Sequence, residues 1–394
     1  MVKDDFAIPR VNISVVGRFH AFDLARELQT HGMFNRLQTT YPQFLTKRWG
    51  FPASSTVNEP HLEALLRANR KLRLLDHARI DLTVQRAHAR RAARKLVGDA
   101  DVFIGWTGSS LEAIIAAREA GMITIIERGS SHCSTWRALM ADENRRIGRN
   151  FDPMYEFWQR ELLEYELADY ISIPSKFVRD TFIEHGVDSE KLLVNAYGVD
   201  LSSFRQILKE DKVFRIINVG GFSIRKGSRY LLQAFSELDL RDAELWHVGN
   251  VSPDMQPFIE QYGNDRVFFH GHKPQAELHK YYSQASVFAL MSIEEGMAMV
   301  QPQAMACGLP IICTTNTGGA DLIGDDNKAG YVIPIRDVEA LKAKILNLYE
   351  NRALTHEMGQ NAKARVSQDL TWADYGARYA NNIQKLVRAR QKCT

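Results

Sequence analysis

Apolar runs of four to seven residues recur along the whole chain, separated by longer stretches in which apolar positions return every three to four residues. This alternation predicts strands interleaved with amphipathic helices, the pattern of parallel α/β sheets. In the first half Val11–Val16, Asp101–Trp106, Met122–Glu127, Tyr170–Ile173 and Leu192–Ala196 read as strands, and Phe22–Thr30, Leu111–Ala120 and Phe177–His185 as helices. The pattern restarts at Val213–Gly220 and continues through Ala243–Gly249, Val267–Phe269, Val287–Met291, Leu309–Cys313 and Gly330–Ile333. A polar break over Gly198–Asp211 separates the two series. At 394 residues the chain suits two domains. The expected architecture is α/β, with two Rossmann-like domains facing each other across a cleft. The first occupies 1–205 and the second 206–370. A terminal helix over 371–394, with Trp372, Tyr375 and Tyr379 on related faces, packs back on the first domain.

Composition changes this picture little. The chain is 45% hydrophobic and 25% charged, ordinary for a globular protein, and its net charge of +3 selects no partner. Cys133, Cys307, Cys313 and Cys393 lack the paired spacing of a zinc site and are too few for a disulfide framework, so reduced thiols in the cytoplasm are expected. The opening MVKDDFAIPR does not read as a signal peptide, and no apolar run is long enough to span a bilayer.

In doubly wound sheets, ligands bind beyond the carboxyl ends of the strands. Two segments there carry candidate chemistry. In Val219–Gly227 the glycines let backbone approach a ligand, and Lys226 adds a full charge at the start of a helix, an arrangement suited to a diphosphate or, equally, to a plain tight turn. In Ser292–Pro310 a polar turn with Glu294 and Glu295 leads to a helix expected from about Met297 to Gly308. Gln303 then lies about two helical turns inward.

This second segment resembles the signature of the retaining nucleotide-sugar transferases of glycosyltransferase family 4, Glu-Gly-Phe-Gly-x4-Glu-Ala-Met-Ala-x-Gly-x-Pro. Glu295, Gly296, Ala304, Met305, Ala306, Gly308 and Pro310 stand in register with it. Glu166–Ser175, Tyr197–Asp200 with Phe204, Phe269–Gly271 and the helix Gln275–Ser283 resemble other family segments in the same order. The similarity is strong over about 165–320 and loose in the N-terminal domain. The resemblance implies that Lys226 contacts the donor diphosphate and Glu295 the hydroxyls of the donor sugar. It also implies that Gly271, His272 and Lys273 line the nucleobase, and that N–H groups of Gly296, Met297, Ala298 and Met299 face the sugar-phosphate. His132 resembles the family's cleft histidine, and Gly17 the glycine turn near the phosphates. Two positions depart from the pattern. Gly221 stands where the family has a second diphosphate cation, which Arg225 or Arg18 replaces here. Gln303 stands where a glutamate binds the ribose, and it brings no charge.

The implied activity is retaining, metal-independent transfer of a hexose-type sugar from a UDP- or GDP-sugar to a glycan or lipid-linked acceptor, with the donor as substrate and no cofactor. Arg67–Lys95 holds ten Lys and Arg against two Asp, interspersed with leucines. Such helices suit an anionic membrane surface, placing the protein in the cytoplasm or against the inner membrane face, and equally suit a solvated helix face. Aromatic residues are not interleaved with this run, which argues against nucleic acid. The same residues leave room for a nucleotide-sugar epimerase or a non-catalytic nucleotide-sugar-binding scaffold.

Overall fold

The computed structural model describes residues 7–72, 75–151, 155–324 and 326–393. Residues 1–6 of the opening segment, Arg73 and Leu74 of the basic segment, and Thr394 lie outside them.

The chain forms two fully parallel sheets. The first has seven strands: β1 (Val11–Val15), β2 (Phe34–Thr39), β3 (Thr56–Asn58), β4 (Val102–Trp106), β5 (Ile123–Glu127), β6 (Tyr170–Ile173) and β7 (Leu192–Val194), in the order β3-β2-β1-β4-β5-β6-β7. The second has six: β8 (Phe214–Val219), β9 (Ala243–Val248), β10 (Val267–Phe269), β11 (Val287–Leu290), β12 (Ile311–Thr314) and β13 (Gly330–Ile333), in the order β10-β9-β8-β11-β12-β13. Both are doubly wound Rossmann-like sheets, each reversing direction beside its first strand, between β1 and β4 and between β8 and β11. Those two reversals open the crevices in which such sheets bind ligands.

Strands covered on both faces read as continuous apolar runs, and β1, β4, β5, β8 and β11 are buried at every position. The strands β2 and β3 were not expected. β2 carries Asn35, Arg36 and Gln38, which hide its apolar half. Gln38 is buried because its amide donates to Glu59 at 2.7 Å. Glu59 in turn lies 2.5 Å from His88 Nδ1, and His88 Nε2 is 3.0 Å from Ser14 Oγ. This serine–histidine–glutamate chain has the connectivity of a nucleophilic triad, but all three residues are sealed in the interior and bind β1 and β2 to the helix His77–Lys95. The basic segment itself folds as two helices, Pro60–Leu72 and His77–Lys95, with Leu65, Leu72 and Leu75 exposed. Among the described residues no helix is long and apolar enough to cross a membrane.

The two sheets are tied by elements that cross between them. The helix Trp372–Cys393 lies against the helix Ala21–Thr30 of the first sheet, so closely that a Cβ on Gly376 would stand 2.3 Å from Glu27 Cβ. Val199 N–H donates to Leu370 O at 2.9 Å, so the outgoing and returning passes of the chain run side by side. In the other direction, the helix Cys133–Arg146 of the first domain sends Met140 into the second domain's core beside Ile216 and Leu231. On the same helix, buried Glu143 receives Tyr230 Oη at 3.0 Å, Arg229 Nε at 3.0 Å and Arg336 Nε at 2.7 Å.

Candidate active site

Three turns at the carboxyl edges of the strands build the site. Gly17, just after β1, has φ of +83°, donates its N–H to Thr40 Oγ1 at 3.0 Å and accepts from Thr39 Oγ1 at 2.6 Å. The left-handed conformation is one that glycine adopts without a steric cost. After β8, Gly220 and Gly221 lead to Lys226 and Gly227. Gly227 has φ of +58°, and a Cβ there would lie 1.8 Å from Met291 O. The helix Ser228–Leu238 therefore begins in direct contact with the end of β11, the strand that delivers the third turn, Ser292–Gly296.

This contact brings Lys226 Nζ into an ion pair with Glu295 Oε1. Arg225 Nη1 lies 2.8 Å from the same carboxylate oxygen and 2.9 Å from Glu294 O. Both carboxylates are held back from water: Glu295 is 13% exposed and Glu294 fully buried. A lysine and a carboxylate thus share one position, where an anion can take the first and hydroxyl groups the second.

Glu294 has a different task. Its Oε1 accepts from Ser130 Oγ at 2.7 Å and Ser131 N–H at 2.8 Å, both of the first domain. Next to it, Gly296 O accepts from Ser175 Oγ at 2.7 Å. A Cβ on Gly296 would lie 2.1 Å from Gly129 O, so glycine is required here by space. The turn is one of the places where the two domains touch. The segment Met297–Met299 departs from the expectation drawn from its sequence. The helix begins at Val300, because Glu295 N–H donates to Asn316 O and Ala298 N–H to Thr317 O, which commits the backbone to a neighbouring loop. The Ala298 N–H is therefore not offered to a ligand, Met297 and Ala298 are buried, and Gln303 sits in the first helical turn instead of two turns in.

Two cavities open beside the loops that follow the strands. A cleft of about 990 Å³ lies between the domains, lined by Arg18, His20 and Asp23 on one side and Gln275, Met299 and Gln303 on the other. A second, of about 330 Å³, is lined by Gly220, Gly221, Gly249, His272, Lys273 and Gln303. Gln275 and Gln303 border both, so the two adjoin. Lys226, Arg225 and Glu295 line neither, their charged ends being taken up by one another. Gly271, with φ of +67°, shapes the second cavity indirectly by accepting Gly249 N–H at 3.0 Å. A Cβ on Gly221 would meet nothing within 4 Å, so the missing cation is replaced by open space. Arg18 reaches the cleft over the face of Trp49, 4.8 Å from the ring centre. Gln303 Oε1 accepts from Tyr282 Oη at 3.3 Å. Among the described residues no group of three His, Cys, Asp or Glu side chains converges to hold a metal ion.

The assignment of His132 to the cleft is corrected. Its imidazole caps the helix Cys133–Arg146, Nδ1 accepting from Ser134 N–H at 3.3 Å, and stacks on His185 at 4.2 Å with Phe182 and Tyr165 against its edges. Burial and the neighbouring His185 push its pKa down to about 3. A neutral imidazole enclosed by aromatic rings is a packing element. The histidine that lines the cleft is His20, three residues after Gly17, with Nε2 2.9 Å from Glu127 Oε2. Glu127, ending β5, also accepts from Tyr379 Oη of the terminal helix at 2.7 Å. A histidine three residues after a strand-end glycine was the available signal, overshadowed by the resemblance of His132 to the family's cleft histidine.

Residues 200–365 match the family model described as glycosyl transferases group 1. The GDP-mannose-dependent alpha-(1-6)-phosphatidylinositol monomannoside mannosyltransferase of Mycolicibacterium smegmatis is 25% identical over 327 residues, 76% of this chain and 80% of that protein. The amylovoran biosynthesis glycosyltransferase AmsK of Erwinia amylovora is 26% identical over 233 residues, 54% of this chain and only 57% of AmsK. The solved structure of HepE from Anabaena in complex with UDP and glucose superposes with a TM-score of 0.70 over 95% of this chain and 99% of HepE, at 14% identity. Residues 200–365 are therefore similar to the group 1 glycosyltransferases, and the chain as a whole is built on the two-domain GT-B architecture.

Proposed function

We propose that the protein transfers a hexose-type sugar from a nucleoside-diphosphate sugar to a hydroxyl of a glycan or lipid-linked acceptor, with retention of anomeric configuration and without a metal ion, in the assembly of a cell-surface polysaccharide or glycolipid. The observation that carries this reading is the Lys226–Glu295 ion pair beside the Gly220–Gly221 turn. A donor entering there exchanges partners: its diphosphate takes Lys226 and Arg225, and its sugar hydroxyls take Glu295. The nucleobase and ribose fit the cavity bordered by His272, Lys273 and Gln303. HepE was solved with UDP, and the mycobacterial relative is GDP-mannose-dependent, so both bases are candidates.

In the reaction the bond between the anomeric carbon and the diphosphate oxygen breaks, and the bond to the acceptor oxygen forms on the same face. The acceptor proton passes to the departing phosphate. Negative charge grows on the diphosphate, and preorganised cations there are the expected source of rate. The test is direct. Incubation with UDP- and GDP-hexoses in the presence of EDTA, followed by proton NMR of the product, should give the donor's own anomer. An inverted anomer refutes retention, activity lost to EDTA and restored by a divalent ion refutes metal independence, and nucleotide binding without turnover refutes the enzyme.

The exposed Leu65, Leu72 and Leu75 beside Arg67, Arg70, Lys71 and Arg79 favour contact of the first domain with an anionic bilayer. Sedimentation with phosphatidylglycerol vesicles at low salt should carry the protein down, and its remaining in the supernatant removes the membrane from the proposal.

A further inference from the structure

The first domain holds a cavity that the donor site does not use, of about 430 Å³, within the range of small-ligand sites. Its walls are aromatic: Trp136 from the helix Cys133–Arg146, Phe151 beyond it, and Phe157 and Trp158 from the helix Tyr155–Leu167. Arg128 and Glu161 also line it, paired at 2.8 Å with side chains 10% and 17% exposed. Asp81 and Arg137 add one more charge of each sign, leaving the lining neutral.

This lining separates ligand classes. A nucleotide or other polyanion would face Glu161 and Asp81. An acyl chain would desolvate the charged pair and give back no hydrogen bond. A neutral pyranose ring has an apolar C–H face to lay on an aromatic ring, and hydroxyls at its rim for a carboxylate and a guanidinium. The place in the fold agrees. Ser130 lines the cavity and donates to Glu294 across the domain junction at 2.7 Å, and Arg128 Nε donates to Ser131 O at 2.9 Å. The cavity's ion pair and the junction loop are thus one hydrogen-bonded unit, a single residue along the chain from Glu295.

We infer that this cavity is an acceptor subsite: it takes a neutral pyranose ring of a glycan acceptor, stacked on the aromatic walls and hydrogen-bonded to the Arg128–Glu161 pair. The inference rests on the transferase reading of the Lys226–Glu295 cluster.

The test is saturation-transfer difference NMR on the full chain with methyl α- and β-glucosides, galactosides and mannosides as probes. Trp158→Leu and Phe157→Leu keep apolar bulk while removing the ring face. Ring protons of at least one hexoside receive saturation from the unmodified protein, and the signal falls at least fivefold in both variants. In parallel, the UDP- or GDP-induced thermal shift stays unchanged in the variants, which also reports that they are folded. No ring contact, or a signal within twofold of the unmodified protein in both folded variants, overturns the subsite. Ring contact without any nucleotide-induced shift refutes the donor reading alone, and the shift without ring contact refutes the subsite alone.

Discussion

Replacing Gly296 by alanine adds one methyl group at the domain junction. The new Cβ would stand 2.1 Å from Gly129 O and 2.9 Å from Ser130 N, against ordinary contact from about 3.4 Å. The loops must part by more than 1 Å, and three bonds cross that gap: Ser130 Oγ and Ser131 N–H to Glu294, at 2.7 and 2.8 Å, and Ser175 Oγ to Gly296 O at 2.7 Å. Two of them end on a buried carboxylate, so losing all three removes roughly 4–7 kcal/mol of net hydrogen bonding. Partial relaxation leaves about 2–4 kcal/mol acting against the closed junction. Since about 1.4 kcal/mol is tenfold, the closed-to-open ratio should fall at least about thirtyfold, and kcat/KM should fall with the closed population. Both sheets are untouched, so the circular dichroism spectrum should stay as it is while small-angle scattering reports a larger radius of gyration. A variant with kcat/KM within twofold and an unchanged radius would show that the Gly129–Gly296 contact does not govern closure.

Glu295→Gln removes the charge that Lys226 and Arg225 share; transfer should drop about a hundredfold or more with the spectrum preserved, and full turnover would remove Glu295 from the site. Gly221→Arg places a guanidinium in open space beside the Gly220–Gly221 turn, so calorimetric affinity for UDP or GDP should rise about tenfold, and a loss of affinity would refute the diphosphate reading of this turn. His132→Asn keeps a capping oxygen at the helix start and should leave transfer within threefold; a hundredfold fall would return the histidine to catalysis. Burial holds His247 neutral down to about pH 4 and His132 down to about pH 3, whereas both take protons near pH 6.5 in the unfolded chain. The unfolded state binds more protons below pH 6.5, so stability should fall as pH drops from 6.5 toward 4, by up to about 1.4 kcal/mol per pH unit for each histidine. A melting temperature flat across that window would contradict the burial of these rings.

The architecture was legible wherever local pattern and tertiary role coincide. β4 and β11 are covered on both faces and appear as bare apolar runs, and β1, β5 and β8 as mainly apolar runs with a polar residue or two. β2 escaped because Gln38 is buried through bonds to Glu59 and His88, residues 21 and 50 positions away. The start of the helix near Met297 was misplaced for a related reason: Asn316 and Thr317 claim the Glu295 and Ala298 amides. His132 shows the same limit in a side chain, since nothing beside it in sequence announces that Phe182 and His185 enclose it. The meeting of Lys226 and Glu295 follows from topology, because they come after β8 and β11, the two neighbouring strands that flank the sheet reversal. Glu294, Glu143 and the Arg128–Glu161 pair act between elements far apart in the chain, and no periodicity marks them.

Because the outgoing pass at Val199 and the returning pass at Leu370 are hydrogen-bonded to each other, and the last helix finishes the surface around His20 and Glu127, the second domain is in effect an insertion within the first. Cutting once near residue 205 would leave a fragment stripped of Tyr375 and Tyr379, with their neighbours bared to water. Exchange of second domains between relatives, whether by recombination or at the bench, therefore needs two joints placed side by side, and the carboxyl-terminal helix has to travel with the first domain.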